Sequence, residues 1–134
     1  MLPSYLSTEI AVPEGAVCAV LDAGGTNLRT ARAVWDGNAW QLENVRRQAM
    51  PGAQGELSCD RLYEALAAPV KELGMFERVG FCFSYNVSLD RSLDGPLDFW
   101  CKEVRAPEAV GKPVEGFPGQ GPGGAEGSMC STTA

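Results

Sequence analysis

Histidine is absent from this 134-residue chain. That excludes every histidine-dependent catalytic triad and every histidine-ligated metal site. Cysteine occurs five times, at Cys18, Cys59, Cys82, Cys101 and Cys130, but no pair has C-x-x-C spacing. Neither a disulfide framework nor a zinc site is indicated, and a reducing cytoplasm suits such thiols best. Cys18 and Cys82 sit inside apolar runs and are expected to be core thiols. There is no basic cluster, and the formal charge is −6. Nucleic acid and anionic membranes are therefore poor partners. A local phosphate site is still allowed, because backbone N–H groups can hold phosphate on an acidic protein. No apolar run approaches the ~20 residues of a membrane span. The first residues show no charged stretch leading into an apolar one, so no secretory signal is expected.

Hydrophobic residues make up 45% of the chain, enough to bury the core of one ordinary domain. Met1 to Gly15 is a lead-in punctuated by Pro3 and Pro13. Ala16 to Leu21 is almost wholly apolar, as a strand buried on both faces would be. A turn over Asp22 to Asn27 follows. Leu28 to Trp35 reads as a second strand, Asp36-Gly37-Asn38 as a hairpin turn, and Trp40 to Gln48 as a third strand with one solvated face. Ser58 can cap a helix, with Asp60 in its first turn. Leu62, Leu66, Val70 and Leu73 then recur on one helical face. Pro69 should kink that helix or end it early, and Gly74 is a C-terminal stop. Arg78 to Tyr85 is a further strand, and Leu97 to Val104 another. Glu103 to Val114 is polar and loop-like. From Gly116 the chain is dominated by Gly, Pro and small residues and is expected to be disordered. The chain thus divides into a folded part, 1–115, and a tail, 116–134.

The chemistry concentrates in two strings. In the first, Val17 to Arg29, an apolar strand ends in Asp22 and runs into Gly24-Gly25-Thr26-Asn27, with Arg29 beyond. Two glycines let the backbone turn tightly and approach a ligand without a Cβ in the way. Thr26 and Asn27 offer side-chain hydrogen bonds, and Arg29 a fixed charge. Asp22 is placed to bind Mg²⁺ through water. The string carries neither the G-K-[ST] of a Walker A loop nor a dinucleotide fingerprint. A Gly-Gly pair by itself is most simply an ordinary tight turn.

The whole string, D-x-G-G-T-N-x-R, is more specific. It resembles the first phosphate motif of sugar kinases in the actin-like ATPase superfamily, hexokinases among them. In the second string, G-F-C-F-S-Y from Gly80 to Tyr85 resembles the hexokinase string G-F-T-F-S-F/Y-P. D-G-P-L-D-F-W-C-K from Asp94 to Lys102 resembles that family's D-G-x-L-x-x-W-T-K. V-G-K-P-V at Val110 to Val114 and M-L-P-S-Y at Met1 to Tyr5 also resemble family strings, in the same order. That order and spacing favour the hexokinase family.

The resemblance implies a fold, a ligand pair and a set of residues. The fold is α/β, an incomplete ribonuclease-H-like mixed sheet of the actin-like ATPase type with a flanking helix. The activity is transfer of a phosphoryl group from ATP, with Mg²⁺, to the 6-hydroxyl of glucose or a related hexose. Asp22, Gly24, Gly25, Thr26, Asn27 and Arg29 would face the ATP phosphates. Ser84, Asn86, Cys101 and Lys102 would face the sugar. Asn86 stands where the family has Pro, and Cys101 where it has the Thr of Thr-Lys; a thiol bonds a hydroxyl more weakly. Trp100 is expected in the core, and Asp90, Asp94 and Asp98 in turn and surface roles. The family's general-base Asp, in an N-D-T/G-type string beyond the W-T-K pair, has no counterpart in this sequence. The chain is therefore expected to represent part of a hexokinase small domain, inactive alone, with the large domain as a missing partner. The alternatives are a non-catalytic sugar- or nucleotide-binding module and a fragment that folds only with a partner.

Overall fold

The structure, a computed structural model, describes residues 11–88, 95–100, 102–112 and 130–132. Three antiparallel strands open it: β1 (Val17–Ala23), β2 (Asn27–Trp35) and β3 (Trp40–Ala49). A helix, α1 (Cys59–Lys71), crosses back to β4 (Arg78–Phe83), which lies parallel to β1. Two short strands, β5 (Asn86–Val87) and β6 (Leu97–Phe99), form a separate pair. A 3₁₀ turn at Pro107–Ala109 follows, and β7 (Cys130–Thr132) lies parallel to β4. The main sheet has the order β3-β2-β1-β4-β7. It is a mixed sheet with one helix, as expected.

Alternation along β1 sorts the two faces. Ala19, Leu21 and Ala23 are buried, and in register with them stand Thr30 and Leu28 on β2 and Phe81 and Phe83 on β4. The helix covers this face. Its Leu62, Leu66 and Val70 are buried, and so is Leu73, which lies just past the helix end rather than in its last turn; each contributes about 1.5–3 kcal/mol by leaving water. Ser58 caps the helix by accepting from the Arg61 N–H, and the Cys59 N–H donates to Glu108 Oε2 at 3.1 Å. Pro69 lies within the last turn, where the helix runs on only to Lys71. Gly74 beyond it takes the left-handed φ of 82°.

Several expectations need correction. Cys18 and Cys82 are only half-buried, because they sit on the sheet face that α1 does not cover. The β3 strand is exposed on both faces, with Leu42 and Val45 more than half exposed. Its edge position explains this, and a bulge between Thr30 and Arg32, with Asn44 at φ 51°, interrupts its ladder. Such interruptions and charges blunt an edge strand against further pairing. The strand expected over Leu97 to Val104 ends at Phe99. The loop-like segment after it is anchored: Val104, Ala106 and Ala109 are buried, and Arg105 exchanges backbone bonds with Gly52 and Leu57. Three residues of the tail expected to lack order, Cys130–Thr132, pair with β4. Ladder bonds use backbone groups, so an open edge accepts an extended segment whatever its composition. Met1 to Tyr5, Asp90, Asp94, Cys101, Val114 and the rest of the tail lie outside the described residues.

Candidate functional site

The site forms where β1 and β4 end side by side. The parallel register pairs Asp22 with Cys82 and Ala23 with Phe83. The antiparallel register pairs Asp22 with Arg29. Asp22, Arg29 and Cys82 therefore share the face opposite the helix. Asp22 belongs to β1 itself; the turn proper is Gly24 to Thr26.

The turn is held at several points. The Gly24 N–H donates to the Asn27 carbonyl at 3.0 Å, and the Met50 N–H to the Thr26 carbonyl at 2.9 Å. The Tyr85 hydroxyl donates to the Gly24 carbonyl at 2.8 Å. Asn27 donates to Thr26 Oγ1 and accepts from Arg47 Nε at 2.9 Å. The N–H groups of Gly25 and Thr26 meet no acceptor among the described residues, so they are available to an anion.

The second string reaches the same place. Lys102 lies across Gly25 so closely that a Cβ there would stand 2.3 Å from its Cδ. The Lys102 ammonium donates to the Ser84 carbonyl at 3.1 Å and sits 5.4 Å from the Tyr85 ring centroid. Ser84 is itself held to β1 by its N–H, which donates to the Ala23 carbonyl. Asn86 is exposed on β5, in register with Phe99. Trp100 is core-packed, as expected: its indole N–H donates to the Ala106 carbonyl at 2.7 Å, and it meets Tyr85 edge-on. Asp98 accepts from Ser88 at the surface.

Arg29 Nη1 lies 3.3 Å from Asp22 Oδ2, with the Arg29 side chain exposed and that of Asp22 partly so. Such a pair contributes little to stability, so Arg29 can turn to an anion at small cost. Cys82 is a residue whose place sequence reasoning missed. Burial pushes its thiol pKa up, and the charge and hydrogen bond of Asp22 push it further, against a smaller lowering by Ser84. The thiol therefore sits, uncharged, between the candidate phosphate-side and sugar-side residues. Its position two before Ser84 on a strand was the available signal. Tyr85 was likewise missed, since nothing local tells which atom its hydroxyl reaches.

The donor set can be tested against the expected ligands. The Gly25 and Thr26 N–H groups, which meet no acceptor among the described residues, suit a polyanion together with the side chains of Thr26, Asn27 and Arg29. Among the described residues no cluster of three acidic or sulfur groups could hold a metal ion. Asp22 alone suits Mg²⁺, which is commonly held by one or two carboxylates together with substrate phosphates. Among the described residues no helix is long and apolar enough to cross a membrane.

An α/β mixed sheet with a glycine turn at the end of its first strand is the class this geometry defines. No protein-family model matches the chain, and no curated protein does. Among solved structures the chain is similar to a hexokinase from Schistosoma mansoni complexed with glucose. The TM-score is 0.64 at 26% sequence identity, over 88% of this chain and 28% of that one. The fold is hexokinase-like, and the relationship is to a kinase-type protein. The chain spans less than a third of that protein's length.

Proposed function

We propose that this chain is the part of an ATP-dependent hexose kinase, with glucose the first candidate, that holds the nucleotide phosphates against the sugar. The fold would be of the ribonuclease-H-like, actin-like ATPase type, with residues 1–115 forming most of a small domain. The observation that carries this is the meeting of two distant strings: Lys102 lies on Gly25 while its ammonium bonds the Ser84 carbonyl. The glucose named in the hexokinase structure agrees with it.

In this reading Gly24 and Gly25 admit the phosphates close to the backbone. The Gly25 and Thr26 N–H groups, Asn27 and Arg29 bind their oxygens. Asp22 would hold Mg²⁺, and the chemistry that ion would supply is neutralisation of phosphate charge. Ser84, Asn86 and Lys102 would face the sugar hydroxyls, which need short groups that donate and accept, and the family resemblance gives Cys101 the same role. The sequence carries no general base in an N-D-T-type string, so this chain alone holds ligands without joining them. Phosphoryl transfer would take place with a large domain supplying that base. A cytoplasmic setting fits free thiols and this reaction.

The lack of that base also favours a second reading, a non-catalytic sugar- or nucleotide-binding module. Calorimetry with glucose and with ATP–Mg²⁺ tests the common part: binding heat for both is expected, and heat for neither refutes both readings. A coupled assay with ATP, Mg²⁺ and glucose should show no turnover by the chain alone. Rates at hexokinase level would refute that assignment. Restored turnover on adding a separate large-domain polypeptide would decide for the kinase over the module.

A further inference from the structure

Tyr85 is buried, 2% exposed, with its ring 4.8 Å from those of Phe83 and Trp100. A ring that only filled this space would need no hydroxyl, and burying one is costly unless it is bonded. The hydroxyl is spent on the phosphate-type turn: it donates to the Gly24 carbonyl, 61 residues away in the chain. The same ring stands 5.4 Å from the Lys102 ammonium, within reach of a cation–π attraction. The Lys102 stem rests on Gly25, and its ammonium bonds the carbonyl of Ser84, the residue next to Tyr85. These contacts close a ring: turn, lysine, strand end, tyrosine, and back to the turn.

We infer that Tyr85 is a positioning residue that ties the Gly24–Gly25 turn to Lys102, so that a hexose engaged by Lys102 stiffens the turn that receives an anionic nucleotide. The identity of the two ligands rests on the kinase reading; the tie does not. Tyr85→Phe keeps the ring and removes the hydroxyl that bonds the Gly24 carbonyl. Lys102→Met keeps the stem on Gly25 and removes only the ammonium. Lys102 is exposed, so this second variant should fold even if burial makes the first fragile.

The test is amide hydrogen exchange, followed by NMR, on the full chain with and without glucose. Without ligand, Tyr85→Phe should speed exchange of the Gly24 amide roughly 5-fold, the loss expected for one ordinary hydrogen bond, while amides of β1 and α1 stay unchanged. Lys102→Met should also speed it, by a smaller factor. Glucose should slow Gly24 exchange in the native chain and leave it unaltered in Tyr85→Phe. Equal Gly24 exchange in the native chain and both variants would overturn the tie. An equal glucose response in the native chain and Tyr85→Phe would overturn the coupling. If glucose changes nothing in the native chain and gives no heat, the kinase reading and the coupling both fall, while the ligand-free comparison still decides the tie.

Discussion

Replacing Gly25 by Ala separates ligand binding from folding. Gly25 does not occupy the left-handed region, so its backbone accepts a Cβ without strain. The obstacle is Lys102, whose Cδ would lie 2.3 Å from that Cβ and whose Cγ and Cε would lie 3.3 Å away. Carbon atoms rest at roughly 3.5–4.0 Å, so the stem must move aside by about 1 Å or more. Lys102 is exposed and can do so. Moving it gives up the bond to the Ser84 carbonyl, worth about 1 kcal/mol where water can replace it at this exposed end, and a cation–π contact worth about 0.5 kcal/mol at an exposed site. Against this, Gly→Ala at a compatible position stabilises by about 0.4–1 kcal/mol through the unfolded chain. The net loss should be about 1 kcal/mol or less, a fall of a few degrees in Tm. Sugar binding should suffer far more. A displaced ammonium forfeits a charge-assisted bond of about 1.5–3 kcal/mol, which is about 10- to 100-fold in the glucose Kd.

The assay pairs thermal unfolding with calorimetry and repeats both in a Lys102→Ala background. There the stem is gone, and Gly25→Ala should cost nothing or stabilise slightly. An equal destabilisation in both backgrounds would show that Lys102 is not what Gly25 makes room for. A glucose Kd within twofold of the native chain would refute Lys102 as the sugar ligand.

Two further outcomes follow from burial and charge. Leu66, fully buried on the helix face that covers the sheet, should cost about 2–5 kcal/mol when changed to Ala; urea unfolding reads this, and a loss under 1 kcal/mol would contradict the packing described. The Cys82 pKa is raised first by burial and then by Asp22. Asp22→Asn should therefore lower it, increase the thiolate fraction at pH 8 and speed alkylation by iodoacetamide, which peptide mass spectrometry would detect. An unchanged or slower rate would mean that Asp22 does not face the thiol.

Local pattern carried much of the fold. The apolar run ending at Asp22, the period of Leu62, Leu66, Val70 and Leu73, and the Asp36-Gly37 turn each announce an element without help from the rest of the chain. Asp36 accepts from the Asn38 and Ala39 N–H groups and from Gln41, as such a turn requires. What escaped was decided by distant partners. Cys18 and Cys82 lie in apolar runs, yet which face α1 covers depends on the crossover, and they fell on the other one. Leu42 and Val45 look like core residues, but β3 proved to be an edge. Val104, Ala106 and Ala109 are too scattered to show a period, and they are buried because Arg105 is clamped by Gly52 and Leu57. The family resemblance put Ser84 and Lys102 forward, and the structure brings the two together beside Gly25. The Tyr85–Gly24 bond was not, because 61 residues separate its ends.

The position of the site follows from strand pairing more than from either string. Parallel strands end at the same edge of a sheet, and ligands in open α/β sheets gather beyond those ends. Here β1 and β4 end together, with Asp22 against Cys82, so the turn after Ala23 and the residues after Phe83 must emerge side by side. The antiparallel return of β2 then brings Arg29 back beside Asp22. A slip of one residue in β1 would exchange the faces. Asp22 would turn toward the helix, where a carboxylate could not stay charged without a partner, and Leu21 would turn out. The register is thus held by Ala19, Leu21 and Ala23 against Leu62 and Leu66, residues that touch no ligand in the proposed site. Substitutions there should disturb ligand binding and folding together, whereas Gly25, Lys102 and Tyr85→Phe should part the two.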